Sequence, residues 1–363
     1  MSEKRAHYLL LDGARGIAAI CILLYHLGDY FGGLRFLQGS FLAVDMFFLM
    51  SGFVIALTYE RSLTNGSRPF LSFVWTRVLR LYPLYLMACC LGAFYFITKY
   101  LMNMEGAPTA SELLRVLPAT VFLAPWPEAV EWGFTPYPFA SSAWSLSLEL
   151  WYNILYAILA IHLGTRMLLV VIAVSLAILL QQGLHFDTLD MGWSMATALG
   201  GSARFWLSFG VGILIYRHQL HRLATPKLPI YVYMLCFAFV FIPRDAIALS
   251  MFWIAVVFPV TVIAGGARQV NGLAAFLCNH LGRMSYGIYI LHAPVILLQT
   301  GVLKILLGNS WEDYKAQIGI SIILSVLIIA WIGTYLFDEP VRRRLKAWSG
   351  KRSGTTLPPT LSA

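Results

Sequence analysis

Apolar runs recur along the chain from residue 9 to residue 338, separated by short polar interruptions. A helix needs about 20 predominantly apolar residues to cross the hydrocarbon core of a bilayer. Ten stretches meet or approach that length, near 13–31, 38–58, 81–100, 144–163, 166–183, 198–217, 228–243, 246–265, 284–303 and 316–337. The fifth and seventh are short, and Pro294 interrupts the ninth. A further run near 113–126 is broken by Pro118 and Pro125, with Pro127 just beyond. The pattern predicts an all-α integral membrane protein, a bundle of about ten transmembrane helices.

The polar interruptions set an orientation, because cytoplasmic loops carry an excess of Lys and Arg. With the N-terminus inside, the inner segments hold Lys4, Arg5, Arg61, Arg68, Arg77, Arg80, Arg166, Arg217, Arg222, Lys227, Arg268, Arg283, Arg342, Arg343, Arg344, Lys346, Lys351 and Arg352. The outer segments hold only Arg35, Lys99, Arg115, Arg244, Lys304 and Lys315. This asymmetry predicts both termini in the cytoplasm and an even number of spans. The net charge of +9 is then mostly topology, and basic residues scattered over many loops do not point to nucleic acid.

Composition agrees: 59% of residues are hydrophobic and 12% charged, against about 25% charged in an ordinary soluble domain. The first span carries Arg15, His26 and Asp29 and is not a signal peptide. The five cysteines have no metal-like spacing and imply no disulfide framework. No internal repeat of the kind found in many transporters is visible. The expected organisation is one membrane domain, 1–340, followed by a basic and then disordered cytoplasmic tail, 341–363, with no soluble domain attached.

Two segments between spans stand out. The outer stretch 101–143 holds five prolines between residues 118 and 138 and five aromatics between 126 and 139. It reads either as a binding mouth or as an interfacial aromatic belt. On the inner side, Arg77 and Arg80 are three apart in a basic amphipathic stretch and therefore neighbours on one helix face. Two guanidinium groups side by side suit a phosphate group, although they also suit a bilayer anchor among anionic lipid heads.

The costliest residues are the charges inside spans, each a candidate for function. Arg15 and His26 are eleven apart in the first span. At about 100° and 1.5 Å per residue they share one helix face, roughly 16 Å apart. The outer span ends are expected near 31, 38, 144 and 198. Counting inward from them puts His26, Asp45, Glu149 and Arg204 about 8–10 Å below the outer interface. On that reading Glu149 supports His26 as a general base in one polar cavity. Asp45 and Arg204 either line that cavity or form a buried ion pair between spans. Asp12, Arg15, Arg77 and Arg80 make a second, cationic group at the inner end. Proton transport would use the same residue types as catalysis.

Several motifs occur together and in order: Leu11-Asp-Gly-Ala-Arg-Gly-Ile-Ala with His26, Val44-Asp-Met-Phe-Phe-Leu-Met-Ser-Gly-Phe, Arg77-Val-Leu-Arg80-Leu-Tyr-Pro, Trp144-Ser-Leu-Ser-Leu-Glu149, Ser285-Tyr-Gly-Ile-Tyr-Ile-Leu-His292 and Glu339-Pro340. Across residues 9 to 340 the chain resembles the membrane-bound acyltransferase family 3. The resemblance implies about ten spans in the bacterial cytoplasmic (inner) membrane. It implies transfer of an acyl group, usually acetyl, from cytoplasmic acetyl-CoA or another acyl-CoA to a hydroxyl of an extracytoplasmic glycan. That acceptor could be an exopolysaccharide, a lipopolysaccharide or a lipid-linked sugar. It implies an essential His26, Arg15 completing an Arg-x10-His pattern, and Arg77 and Arg80 on the coenzyme A phosphates. Glu149 matches the family's acid after Trp-Ser.

The expected mechanism has His26, supported by Glu149, acting as base or as transient acyl carrier, with Arg204 stabilising the oxyanion. No metal is expected, because a thioester is already activated. His292 reads as a structural hydrogen bonder. The competing readings are a transporter of a polar solute or protons and a non-catalytic scaffold for glycan assembly. Acceptor identity and oligomeric state are not legible in the sequence.

Overall fold

The computed structural model describes residues 8–33, 35–132, 135–222, 236–267 and 270–353. The described residues are helical, with no strand among them. Eight of their helices are long and apolar enough to cross a membrane. They are α1 (Leu9–His26), α2 (Leu37–Thr64), α3 (Phe70–Leu101), α6 (Thr165–Phe186), α7 (Ala198–Arg217), α8 (Ile247–Gly265), α9 (Gly272–Leu307) and the apolar stretch Ser310–Trp348. That last stretch comprises α10 (Lys315–Ile332), a π-helical turn Gly333–Asp338, and the start of α11 (Glu339–Ser353). Two further helices, α4 (Ala110–Val121) and α5 (Ala143–Leu159), are shorter. Half of the expected span near 228–243 lies outside the described residues, as do residues 354–363 of the expected tail and the basic residues Lys4, Arg5, Lys227 and Arg268. Residues 349–353, expected to be disordered, complete α11.

Two helix pairs form the centre: α1 against α9, and α2 against α7. Lipid tails are as apolar as leucine, so membrane helices associate through close backbone packing at small residues. The sequence supplies those residues reciprocally. A Cβ on Gly16 of α1 would lie 2.5 Å from Leu281 of α9, and one on Gly282 of α9 would lie 2.4 Å from Asp12 of α1. Across the other pair, a Cβ on Gly52 would meet the Phe209 carbonyl and one on Gly212 the Leu49 carbonyl, at 2.1 and 2.2 Å.

The described residues of the stretch 101–143 hold a helix, α4, as well as loop. Thr109 and Glu112 form a capping box that starts α4, and α4 then runs back alongside α3. Its end is fixed where Tyr82 donates to the Val121 carbonyl (2.9 Å) and Tyr85 to the Thr120 carbonyl (2.7 Å). Tyr82 precedes the end of α3 by nineteen residues, so α4 reaches about 28 Å back along it. The chain returns through 135–142, with the Phe139 carbonyl against Gly92 of α3, and enters α5 at Ala143 while still inside the bundle. Non-helical backbone at membrane depth is tolerated where protein buries it or where it lines a cavity, and here it does both. The prolines at 118, 125, 127, 136 and 138 deny this segment a continuous helical ladder.

Candidate active site

Two cavities lie along the α1–α9 pair. The first spans about 770 Å³, the space open at its mouth included, and is lined by Arg15, Arg77, Arg80, Glu149, Ser145 and Tyr289 among others. Arg15 is fixed from α9: its Nε donates to Ser285 Oγ (2.8 Å) and its Nη2 to the Gly282 carbonyl (3.0 Å). Asp12, one turn earlier on α1, lies 3.6 Å from Arg15 Nη2. Arg77 is 3% exposed and donates from Nη2 to Glu149 Oε1 at 2.7 Å, an oxygen that also accepts from Ser51 (3.1 Å). Arg77 Nε, although buried, has no hydrogen-bond partner. Arg80 also faces this cavity, and its guanidinium has no ion-pair partner among the described residues. With three arginines and one carboxylate, the cavity is suited to an anion with several charges.

The second cavity spans about 1200 Å³, the space open at its mouth included, and is lined by His26, His292, Tyr25, Asp29, Asp190 and Arg244 among others. His26 ends α1 and is exposed, and what it is exposed to is this cavity and an adjoining apolar hollow beside Pro138, Phe139 and Leu297. Its ring stacks on that of His292, with centroids 4.9 Å apart and planes 25° from parallel. His292 is 1% exposed, and its Nδ1 lies 2.6 Å from the Tyr289 carbonyl. A carbonyl only accepts, so Nδ1 carries the proton and the neutral ring keeps its lone pair on Nε2. His292 thus makes the structural hydrogen bond expected of it, and it also forms one wall beside His26. Asp190 accepts from Tyr25 (3.0 Å) and pairs with Arg244 (2.7 Å).

The structure separates residues that depth counting had grouped. Glu149 is not beside His26. It shares the first cavity with Arg15, which lies eleven residues, roughly 16 Å, along α1 from His26. The reason is the re-entrant segment: α5 starts inside the bundle, so counting from residue 144 as an outer end places Glu149 too shallow. The carboxylates that share a cavity with His26 are Asp29 and Asp190. Asp190 is in the loop between α6 and α7, which the count from span ends did not include. A sequence signal existed, since this acid and Trp193 lie in a short loop on the histidine side of the membrane.

Asp45 and Arg204 form the buried ion pair that was one of their two readings, and neither lines either cavity. Both side chains are 0% exposed. Arg204 donates from Nε and Nη2 to Asp45 (2.6 Å at the shortest), from Nη1 to the Met191 carbonyl and from Nη2 to the Phe41 carbonyl. A guanidinium so enclosed has no surface to offer an oxyanion, so the expected stabilising role of Arg204 is withdrawn. The pair instead ties α2 to α7 and to the loop that carries Asp190.

Comparison with known proteins agrees with this architecture. A family model described as an acyltransferase domain, that of acyltransferase family 3, matches residues 8–339. Protein 2 in the picA locus of Rhizobium radiobacter is 38% identical in an alignment 191 residues long that covers 49% of this chain and 96% of that protein. The peptidoglycan O-acetyltransferase OatA of Listeria monocytogenes is 24% identical, and a putative peptidoglycan O-acetyltransferase of Bacillus subtilis, YrhL, is 23% identical. Each of those two alignments covers 94% of this chain but only 56% of the relative, so the chain spans little more than half their length. No solved structure matches. With nearly its whole length matched and its spans in place, the protein belongs to acyltransferase family 3 and is a multi-pass membrane acyltransferase.

Proposed function

We propose that the protein transfers an acyl group, acetyl foremost, from acyl-CoA in the cytoplasm to a hydroxyl of a glycan on the far side of the inner membrane. The observation that carries this reading is a single helix, α1, with Arg15 in a cationic cavity and His26 in a second cavity further along it. Arg15, Arg77 and Arg80 hold the phosphates of the donor, and Glu149 orients Arg77. The pantetheine arm runs along the α1–α9 pair and brings the thioester to His26. The acceptor hydroxyl attacks the thioester carbonyl while His26 takes its proton. The carbon–sulfur bond breaks, and the proton passes to the departing thiolate, releasing coenzyme A as the free thiol. Asp190 supports the imidazolium that forms in between. Both termini lie on the arginine side, as the distribution of Lys and Arg favours.

An O-linked acetyl on a glycan is the product named for two relatives, which supports a sugar hydroxyl as the acceptor here. The size of the histidine cavity, its aromatic Trp193 and its acids Asp29 and Asp190 are consistent with a sugar.

The test uses the purified protein in sealed proteoliposomes, with acetyl-CoA on the arginine side and a glycan oligosaccharide on the histidine side. Mass spectrometry should find one acetyl mass added to the oligosaccharide, and His26→Ala should remove it. If the purified protein neither transfers acyl groups nor hydrolyses acyl-CoA, and His26→Ala leaves surface-glycan acylation unchanged in cells, the proposal is wrong. A burst of coenzyme A release without acceptor would instead identify His26 as a transient acyl carrier.

A further inference from the structure

Ser285, Tyr289 and His292 are spaced four and three apart on α9 and so share one helix face. Each meets a different part of the site. Ser285 accepts from Arg15 in the first cavity. His292 stacks on His26 in the second. Tyr289, between them, lines both cavities, and so does Val44 across from it on α2. The Tyr289 ring meets Phe47 edge-on at 5.6 Å, and its hydroxyl is 2.6 Å from Ser145 Oγ on α5. The residue is only 6% exposed although it borders both cavities. It therefore forms a septum, closed by one hydrogen bond between two neutral hydroxyls.

Such a bond is weak enough in net terms to break and re-form as an arm passes. The backbone of the same residue has a second task, since its carbonyl fixes the Nδ1 proton of His292. The side chain can swing without moving that carbonyl, so the passage can open while the histidine pair keeps its geometry. The small residues of the α1–α9 contact sit at Gly13, Gly16 and Gly282, below this level, and leave the septum to side chains.

We propose that Tyr289 is a positioning residue that separates the arginine cavity from the histidine cavity, and that its release from Ser145 admits the pantetheine arm of the donor. This rests on the acyl-CoA reading above, but the barrier itself can be tested without any donor.

Replace the native cysteines, then introduce Ser51→Cys as a probe of the arginine cavity and Ser142→Cys as a probe of the histidine cavity. Apply a charged, membrane-impermeant thiol reagent to sealed vesicles from the arginine side only. Ser51→Cys should label whether or not Tyr289 is altered. Ser142→Cys should stay unlabelled with Tyr289 present and become labelled at least tenfold faster with Tyr289→Ala. Equal labelling of Ser142→Cys with and without Tyr289 overturns the septum, whatever the donor proves to be.

Should Tyr289→Ala fail to fold, Tyr289→Phe and Ser145→Ala keep the packing and remove only the latch. Each should raise acceptor-independent hydrolysis of acetyl-CoA several-fold while coenzyme A affinity, set by the arginines, stays constant. Wild-type hydrolysis in both latch variants overturns the latch. Absence of coenzyme A binding in the wild-type protein would overturn the donor reading separately, with the labelling result standing on its own.

Discussion

The arginine cavity and the histidine cavity are built from the same two helices and differ in how their charges are held. In the first, Arg15 is hydrogen-bonded to α9, Arg77 is paired with Glu149 on α5, and Arg80 alone has no ion-pair partner among the described residues. Bonds between four helices, α1 to α9 and α3 to α5, set the positions before any ligand arrives. In the second, the central residues are two stacked imidazoles, and the charged groups around them, Asp190, Arg244 and Asp29, come from loops and a short 3-10 turn. Binding thus rests on helices bonded to one another, and the reacting end rests on loops that can differ without disturbing the bundle. Positioning on rigid elements favours precision, whereas loops favour variation in what is recognised.

That contrast can be broken most forcefully at His26. Its replacement by alanine should lower acyl transfer by about 10²–10⁴-fold, the range of a general base, while coenzyme A affinity measured by calorimetry is unaffected. A loss of affinity would mean that the two cavities are one functional unit. Next in size is the ion pair outside both cavities. Arg204→Met should destabilise the protein by about 3–5 kcal/mol, because it leaves a buried carboxylate without its partner. The joint replacement Asp45→Leu with Arg204→Met should recover much of that loss. Thermal unfolding in detergent reads both, and specific activity per folded molecule should be nearly normal.

Smaller effects separate Glu149 from Asp190. Glu149→Gln removes one charge-assisted hydrogen bond, worth about 1.5–3 kcal/mol, and should raise KM for acyl-CoA with little change in kcat. Asp190→Asn should lower kcat and leave donor KM alone. The opposite split would restore Glu149 as the partner of His26. The smallest change is expected for Arg80→Ala, about 1 kcal/mol of coenzyme A affinity, because this guanidinium is only half-buried and partly screened by salt. Its contribution should shrink as ionic strength rises.

Much of this was legible along the chain. Eight of the ten expected spans coincide with helices long enough to cross a membrane, and α5 occupies the place of a ninth with 17 residues. The Asp45–Arg204 pair and the cationic group of Asp12, Arg15, Arg77 and Arg80 were visible as charges that apolar surroundings would not tolerate alone. Asp190 and Arg244 were passed over because they lie in loops, where a charge costs nothing and so attracts no notice. Glu149 was assigned to the wrong neighbour because a hydropathy pattern gives the length of a helix and not the depth at which it begins.

The sequence by itself determined which segments are helices, which charges need partners and which family the chain belongs to, since all three follow from residue types and spacing. Only the tertiary structure decided which charges meet. Residues 110–132 run back along α3 and 135–142 lead into α5, where Tyr82 donates to the Val121 carbonyl and Tyr85 adds a second donor to the Thr120 carbonyl. That detour starts α5 deep inside, carries Glu149 to Arg77, and leaves His26 with Asp190 and His292. A backbone that must satisfy every carbonyl at membrane depth can do so through side chains distant in sequence, and local pattern does not reveal them.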